Sequence, residues 1–137
     1  MKRILIVDDE PHVIRIMKRA LVKAGYEVDE AANGIQAINI IDQAHPDVLI
    51  TDIDMPRMNG KELCIHIEKA LPDRKFRIYI LTSRAEDEHR AWSSSIHNLE
   101  FLEKPVSLRK LFDHLHEQFS SQLPDEEEPC LTAQSIQ

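Results

Sequence analysis

Residues 48–56 read Val-Leu-Ile-Thr-Asp-Ile-Asp-Met-Pro, and this stretch decides the fold. It begins with four apolar or β-branched residues that run directly into Asp52, and turn residues follow from Pro56 to Gly60. A segment that is apolar on both faces is typical of a central strand in a parallel sheet. Asp52 would then stand at the carboxyl end of that strand, the edge where open α/β sheets bind ligands. Because a buried carboxylate is unfavourable unless it binds a cation or takes part in chemistry, Asp52 is the first candidate site residue.

The composition is typical of a single globular domain. The chain has 137 residues, of which 42% are hydrophobic and 30% are charged, and this length is sufficient for one substantial core. The formal net charge is -7, and the acidic run Asp125–Glu128 lies beyond the last basic residue, Lys110. Because no basic stripe is present in the sequence, direct binding to nucleic acid is not expected.

The sequence carries no signal for a membrane or for export. No apolar run approaches the length of a transmembrane helix, and the basic N-terminus is followed by only four apolar residues, too few for a signal peptide. The two cysteines, Cys64 and Cys130, lack the spacing of a metal site and indicate a reducing compartment. We therefore predict a cytoplasmic protein without a membrane partner.

Strand and helix patterns alternate along the chain. Strands are predicted at Arg3–Val7, Tyr26–Ala31, from Val48 to Asp52, at Arg77–Leu81 and at Leu99–Leu102. Helical spacing predicts a helix after each strand: from Pro11 to Ala24, from Asn33 to Ile41, from Gly60 to about Ala70, from Glu86 to His97, and from Ser107 to Phe119. The apolar stripe of the first helix is predicted to be Val13, Ile16, Met17, Ala20, Leu21 and Ala24.

This alternation predicts an α/β fold, with five parallel strands in one sheet, helices on both faces and right-handed crossovers. We predict one domain over residues 1–120. Residues 121–137 lose the helical period and contain the four-acid run, so we expect a flexible acidic tail there.

Polar residues follow or end four of the five predicted strands. They are Asp8 and Asp9, Asp52, Thr82, and Lys104. The carboxyl ends of parallel strands lie at one edge of the sheet, so three carboxylates should gather there and repel one another. Mg²⁺ would relieve this repulsion, because it prefers oxygen ligands and keeps open positions for water and phosphate. With such a cation, attack of a carboxylate on phosphorus is plausible, and the lysine and threonine would contact the same phosphoryl group.

Each of these features also has an ordinary structural explanation when it is taken alone. A pair of aspartates after a strand usually caps the next helix, a Lys-Pro pair usually forms a loop, and a threonine often simply ends a strand. Ordinary structure gives no reason for all of them to occur at the ends of four strands, and the combination therefore favours a functional site.

The motifs in this order resemble the receiver domain of two-component response regulators. The resemblance rests on Val7-Asp8-Asp9-Glu10-Pro11, Asp52-x-x-Met55-Pro56-x-Met58-x-Gly60, Leu81-Thr82-Ser83 and Lys104-Pro105. It implies a flavodoxin-like (βα)5 fold with strand order 2-1-3-4-5. It also implies a signalling switch that is an enzyme only in assisting its own phosphorylation and dephosphorylation.

The same resemblance implies a phosphoacceptor and a metal site. Asp52 would accept a phosphoryl group from a histidine kinase or phosphotransfer protein. Asp9, Asp52 and the backbone carbonyl of Asp54 would bind Mg²⁺, and Asp8 would act through water. The downstream partner would be a protein or an output domain, and a phosphorylation-dependent homodimer is left open.

The resemblance further implies a switch. Thr82 and Lys104 would contact the phosphoryl group, Thr82 would move towards it, and Phe101 on the fifth strand would turn inward. The surface read by a partner would be formed by the fourth helix, the fifth strand and the fifth helix. Phe101 stands where the family often has tyrosine, so it has no hydroxyl group to exchange partners.

Two other departures from the family pattern bear on regulation. His97-Asn98 replaces a Gly-Ala pair before the fifth strand, and asparagine tolerates a left-handed turn. Asp54 and Arg84 fall at two variable positions that flank the phosphoryl group in the family. We hypothesise that these two side chains pair across the pocket and slow the attack of water on the phosphoryl group.

Other functions remain as alternatives at this point. A haloacid-dehalogenase-type phosphatase also uses an Asp-x-Asp after a strand, and Asp52-Ile53-Asp54 fits that pattern. In that family, however, the pair comes early in the chain, and this sequence has no cap insertion. A pseudo-receiver scaffold is disfavoured by the intact acidic set. Whether the chain acts alone or belongs to a longer protein is not decided by the sequence.

Overall fold

The stretch from Val48 to Asp52 forms the middle strand of a five-stranded parallel sheet. The structure, a computed structural model, describes residues 2–83, 89–104 and 107–120. The strands are β1 (Arg3–Val7), β2 (Glu27–Ala31), β3 (Val48–Asp52), β4 (Arg77–Thr82) and β5 (Leu99–Glu103). The helices are α1 (Pro11–Lys23), α2 (Gly34–Gln43), α3 (Gly60–Ala70), α4 (Arg90–Ser93) and α5 (Leu108–Ser120).

The strand order is β2-β1-β3-β4-β5, as the family resemblance implies. All five residues of β3 are buried, which confirms that this strand lies inside the sheet and is covered on both faces. In the parallel register, Val7 lies beside Thr51, Asp52 beside Leu81, and Thr82 beside Glu103. The register therefore brings the carboxyl ends of β1, β3, β4 and β5 to one edge.

The main core joins the sheet to α2 and α3. Leu5, Leu49 and Ile78 project from neighbouring strands into one cluster of buried residues, which also contains Ile41 of α2 and Leu63 of α3. The alternation of side chains along each strand places these residues on the same face. Burial of this continuous apolar surface fixes the strand register, and the register in turn fixes the strand ends at the site edge.

Local capping signals stand at the starts of the first three helices. Asn33 caps α2 by accepting a hydrogen bond from the Gln36 amide, and Asn59 and Glu62 form a capping box at the start of α3. Pro11 stands in the first turn of α1, where its missing N–H is not needed. Asn98 has φ of 57°, so the left-handed turn expected before β5 is present.

Two details differ from the sequence predictions. The fourth helix was predicted to continue to His97 but ends at Ser93, because the hydroxyl groups of Ser94 and Ser95 donate back to carbonyl groups one turn earlier. Its predicted start, Glu86, lies outside the described residues. Ile16 is 58% exposed and is not part of the buried face of α1; that face consists of Ile14, Met17 and Leu21.

The chain divides by its internal contacts into two units, residues 1–105 and residues 106–137. The first contains the sheet and helices α1 to α4, and the described part of the second contains α5. The acidic tail predicted over residues 121–137 lies outside the described residues, so it stays a prediction. None of the helices in the described part of the chain is both long and apolar enough to cross a membrane.

Candidate functional site

Three carboxylates meet at the carboxyl edge of the sheet. Oxygen atoms of Asp8, Asp9 and Asp52 all lie within 4.8 Å of one another. The first two follow β1 directly and the third ends β3, and these strands are neighbours in the sheet. The edge therefore concentrates negative charge in a small volume, as the sequence analysis predicted for these residues.

The environment of the cluster disfavours its negative charge. Asp8 is 2% exposed and Asp52 is 4% exposed, whereas Asp9 is exposed. Burial raises the pKa of Asp8 above its usual value of 3.8, and the charges of Asp52 and Asp9 raise it further. The backbone amide of Glu10, which donates to Asp8 over 2.9 Å, and the charge of Lys104 act in the opposite direction.

Lys104 provides the positive charge that faces this cluster. Its Nζ atom lies 2.7 Å from Oδ1 of Asp52. Burial disfavours the ammonium ion, but the hydrogen bond and the charge of Asp52 outweigh burial and raise the pKa of Lys104. The Lys104 amide also donates to the Thr82 carbonyl over 2.8 Å, so the ends of β4 and β5 hold the lysine in place.

The backbone around Asp52 is tightly fixed. The Ile53 amide donates to Oδ1 of Asp52 over 2.9 Å, and the Thr51 hydroxyl donates to the Asp52 carbonyl over 2.9 Å. Gly60 packs against this segment so closely that a Cβ atom there would lie 2.4 Å from the Asp52 carbonyl oxygen. Only glycine fits this close approach without a shift of the backbone, which explains the Gly60 of the sequence motif.

Thr82 ends β4 and is buried at the same edge. Its Oγ1 atom lies 3.5 Å from Nε2 of His89, and His89 in turn contacts Trp92 and Phe101. The sequence gives no signal for His89, because a single histidine seven residues after a threonine matches no recognised motif. The contact is visible only once the fold places the start of α4 beside β4 and β5.

The remaining predicted residues are Asp54, Phe101 and Arg84. Asp54 is exposed just after β3, and Phe101 is half-buried on β5. Arg84 lies outside the described residues, so its pairing with Asp54 stays a prediction. The parts of the site that the structure brings together are thus the three carboxylates, Lys104 and the end of β4.

The donor set of this cluster suits a hard divalent cation. The oxygens of three carboxylates lie within 4.8 Å of one another, the ammonium ion of Lys104 contacts that of Asp52, and burial resists the charge of Asp8. Mg²⁺ binds through oxygen ligands and would offset the excess negative charge. Asp8, Asp9 and Asp52 are the residues that would hold it.

Comparison with known proteins shows the family to which this sequence belongs. The sequence model of the response regulator receiver domain matches residues 4–116. The chain belongs to this family. Receiver domains are signalling domains that bind Mg²⁺ and interact with histidine kinases and output domains, so the membership fits the acidic edge and favours the receiver over the phosphatase alternative.

Individual relatives agree with the family assignment. The chain is 32% identical over 132 residues to the response regulator MprA of Mycobacterium sp. (strain KMS). This alignment covers 95% of this chain and 56% of MprA. The chain therefore spans about half the length of the curated relatives it matches. The chemotaxis response regulator CheY4 of Vibrio cholerae superposes with a TM-score of 0.77 and 29% identity, over 86% of this receiver and 98% of CheY4.

A third relative was solved in complex with Mg²⁺ and BeF. The response regulator TrrA of Thermotoga maritima, in complex with Mg²⁺ and BeF, superposes with a TM-score of 0.74 and 32% identity. The match covers 86% of this receiver and 99% of TrrA. The fold of the receiver is thus shared with proteins from distant bacteria.

Proposed function

We propose that this receiver accepts a phosphoryl group on Asp52 from a histidine kinase or phosphotransfer protein and thereby controls a partner. The observation that carries the proposal is the contact of Lys104 with Asp52 beside the three-carboxylate cluster. A merely structural ion pair would not need two further carboxylates within 4.8 Å. A phosphoryl-transfer site needs both features, because it must bind a cation and also stabilise phosphoryl oxygens.

Asp52 is the nucleophile in this proposal. Its Oδ1 atom is engaged by the Ile53 amide and by Lys104, and we assign the attack to Oδ2. A bond forms between Oδ2 and phosphorus while the bond between phosphorus and the histidine nitrogen of the donor breaks. The electron pair of that bond stays on the departing imidazole nitrogen. Lys104, already beside the carboxylate, would then bind a phosphoryl oxygen.

A bound Mg²⁺ would supply charge neutralisation for the phosphoryl oxygens. Asp8, Asp9 and Asp52 would hold the ion, with the backbone carbonyl of Asp54 as a further ligand by family resemblance. The complex of the related protein TrrA with Mg²⁺ and BeF supports the proposal that this receiver binds Mg²⁺. Asp8, which is buried, would act through a water molecule.

Thr82 and Phe101 form the proposed switch. Thr82 would move towards the phosphoryl group, Phe101 would turn inward, and the surface of the fourth helix, fifth strand and fifth helix would change. The downstream partner would be a protein or an output domain, and the MprA match, which leaves about half of that relative uncovered, is compatible with either. We place this signalling in the cytoplasm.

The test uses the full chain and a small phosphodonor such as acetyl phosphate. Intact-mass spectrometry should show one added phosphoryl group when Mg²⁺ is present and none after chelation. Asp52→Asn should abolish the addition. Asp42→Asn is the matched control, because Asp42 is an exposed aspartate on α2, outside the site, and the variant should still accept the group. No added group in the wild-type chain, or an equal addition in Asp52→Asn, would refute the proposal.

A turnover assay also distinguishes the proposed receiver function from the phosphatase alternative. A phosphatase would release phosphate steadily from a phosphomonoester and would depend on Asp54 as well as Asp52. The phosphoryl lifetime of Arg84→Ala tests the hypothesis of pairing between Asp54 and Arg84. An unchanged lifetime would remove that hypothesis without affecting Asp52.

A further inference from the structure

His89 connects the proposed switch threonine to the aromatic side chains near α4 and β5. Its Nε2 atom lies 3.5 Å from Oγ1 of Thr82, and its Nδ1 atom lies 3.2 Å from the indole Nε1 of Trp92. Its ring also stacks on Phe101, with 5.3 Å between the centroids and 17° between the ring planes. One imidazole therefore contacts the hydroxyl at the site edge and two aromatic rings at once.

The indole group determines how the imidazole is protonated. The Nε1–H of Trp92 is a hydrogen-bond donor only, so Nδ1 of His89 must accept and cannot carry a proton. A neutral His89 then carries its proton on Nε2, and Nε2–H points to Oγ1 of Thr82. The hydrogen bonds thus run in one direction, from Trp92 to His89 and from His89 to Thr82.

The two hydrogen bonds of His89 described above differ in strength. The contact of His89 with Thr82 is 3.5 Å, at the long limit of hydrogen bonding, whereas the contact with Trp92 is 3.2 Å. Trp92 also meets Phe101 edge to face, with 5.9 Å between the centroids. The three rings support one another, since such arrangements are each favourable, and the link to the hydroxyl is the part most easily broken.

We infer that His89 is a positioning residue that couples the Thr82 hydroxyl to Trp92 and Phe101. This inference rests on the proposed phosphorylation of Asp52. A Thr82 hydroxyl that moves towards a phosphoryl group leaves Nε2 of His89. The imidazole then loses its contact with the hydroxyl, and its stacking on Phe101 and its hydrogen bond from Trp92 must adjust. A change at the phosphorylation site is thereby transmitted to Trp92 and Phe101 through one side chain.

NMR spectroscopy of the full chain tests the coupling directly. Trp92 is the only tryptophan, so its indole Nε1–H gives a single, unambiguous cross-peak. Long-range proton–nitrogen spectra of the histidine rings should show His89 as the neutral form with its proton on Nε2. Addition of Mg²⁺ and beryllofluoride should shift the indole cross-peak of the wild-type chain, together with the amides of Asp52 and Lys104.

Three variants give the comparison. His89→Phe keeps a stacking ring but removes both hydrogen bonds, and His89→Gln restores a donor and an acceptor without the stacked ring. His45→Phe is the matched control, because His45 also lies against a phenylalanine, Phe76, but precedes β3 at the opposite edge of the sheet. We expect the shift of the indole cross-peak to vanish in His89→Phe, to recover in part in His89→Gln, and to persist in His45→Phe.

The outcomes separate the two proposals. If the amides of Asp52 and Lys104 do not respond to Mg²⁺ and beryllofluoride in the wild type, the proposed function fails. If those amides respond but the indole cross-peak does not, or if it shifts equally in His89→Phe, the coupling role of His89 is overturned. Should His89→Phe fail to fold, the tautomer of His89 in the wild type tests the inference. A proton on Nδ1 is incompatible with a hydrogen bond from Trp92 to that atom and would overturn it.

Discussion

The Nζ atom of Lys104 lies 2.7 Å from Oδ1 of Asp52, and this ion pair joins the ends of β5 and β3 across β4. One ammonium ion therefore faces three carboxylates whose oxygens lie within 4.8 Å of one another. The lysine neutralises only part of their charge. It should also compete with any divalent cation that binds the cluster, because the two positive charges would be close neighbours.

Replacing Lys104 with methionine should strengthen Mg²⁺ binding while it weakens beryllofluoride binding. Unit and divalent charges about 5 Å apart repel by roughly 1–2 kcal/mol at the dielectric constant of water. Loss of this repulsion lowers the Mg²⁺ dissociation constant by about tenfold. Beryllofluoride should bind more weakly, because the ammonium ion that would contact its fluorine atoms is lost. Titrations followed by Trp92 fluorescence or by melting temperature measure both affinities.

Lys104→Arg is the control for this pair of effects. It keeps the positive charge, so its Mg²⁺ affinity should stay close to that of the wild type. If Lys104→Met and Lys104→Arg change Mg²⁺ affinity equally, the effect does not arise from charge. Equal beryllofluoride binding by wild type and Lys104→Met would show that the lysine does not contact the anion.

Asp8→Asn should stabilise the fold at neutral pH in the absence of Mg²⁺. The pKa of Asp8 is raised in the folded state, chiefly by burial, so the folded protein holds this proton more tightly than the unfolded chain. Ionisation of this carboxyl group therefore lowers the free energy of unfolding as pH rises above 3.8, the usual pKa of the group. Below that pH it has no such effect. Each unit of pKa difference corresponds to about 1.4 kcal/mol.

Thermal melts across the pH range measure this prediction. The melting temperature of Asp8→Asn should exceed that of the wild type by a few degrees near pH 7, since about 1 kcal/mol shifts a domain of this size by roughly 3–5 °C. The two curves should converge in acid. With Mg²⁺ the advantage should shrink, because the wild type binds the ion more tightly. A melting temperature below that of the wild type at pH 7 would contradict the prediction.

The sheet and its acidic edge could be predicted from the sequence because both follow from short, local patterns. The apolar run before Asp52 marks a buried central strand, and parallel pairing then places every strand end at one edge. Pro11 and Asn33 likewise begin helices as their sequence positions predict. These features depend on backbone geometry that a few residues determine.

The contacts of His89 and the end of α4 could not be predicted, because they depend on side-chain placement between elements. The serine hydroxyls that end α4 compete with the helix only in their actual rotamers. Ile16 fits a helical stripe, but α1 turns Ile14 to the interior instead. Spacing alone leaves the rotation of a helix uncertain by about one residue, and packing decides it.

Gly60→Ala should destabilise the protein and disturb the geometry of Asp52. A Cβ atom at this position would lie 2.4 Å from the Asp52 carbonyl oxygen and 2.9 Å from the Ile53 Cα atom, so the backbone must move. We expect a loss of about 1–3 kcal/mol, the range for overpacking, and weaker binding of beryllofluoride. Gly34→Ala is the comparison, because its added carbon would also be crowded, but by side-chain atoms of Met58, the Cβ atom among them at 2.8 Å, and not by the backbone of Asp52. It should also lower stability but leave beryllofluoride binding unchanged, and equal losses of beryllofluoride binding in both variants would argue against a special role for the Gly60 backbone contact.

Glu68→Gln should lower stability at neutral pH but not in acid. The guanidinium group of Arg74 has no exposed side-chain surface; it donates to Glu68 over 2.8 Å and also contacts the carbonyl of His97. The hydrogen bond from Arg74 lowers the pKa of Glu68 below its usual 4.5, and His97 adds to this effect. The stability that this carboxylate contributes is therefore present above pH 4.5 and is lost as pH falls through the lowered pKa.

Removing the charge of Glu68 leaves a buried arginine with a weaker partner, so we expect a loss of about 2 kcal/mol at pH 7. Urea unfolding at pH 7 and near pH 3 measures the difference, which should shrink at the lower pH. Glu62→Gln is the control, because Glu62 is exposed and glutamine can keep its role in the capping box of α3. The pH dependence of stability is opposite in sign for Glu68 and Asp8. The Arg74 guanidinium keeps Glu68 charged, whereas Asp8 is buried beside other carboxylates. A constant difference between Glu68→Gln and wild type at both pH values would show that the carboxylate's charge does not contribute.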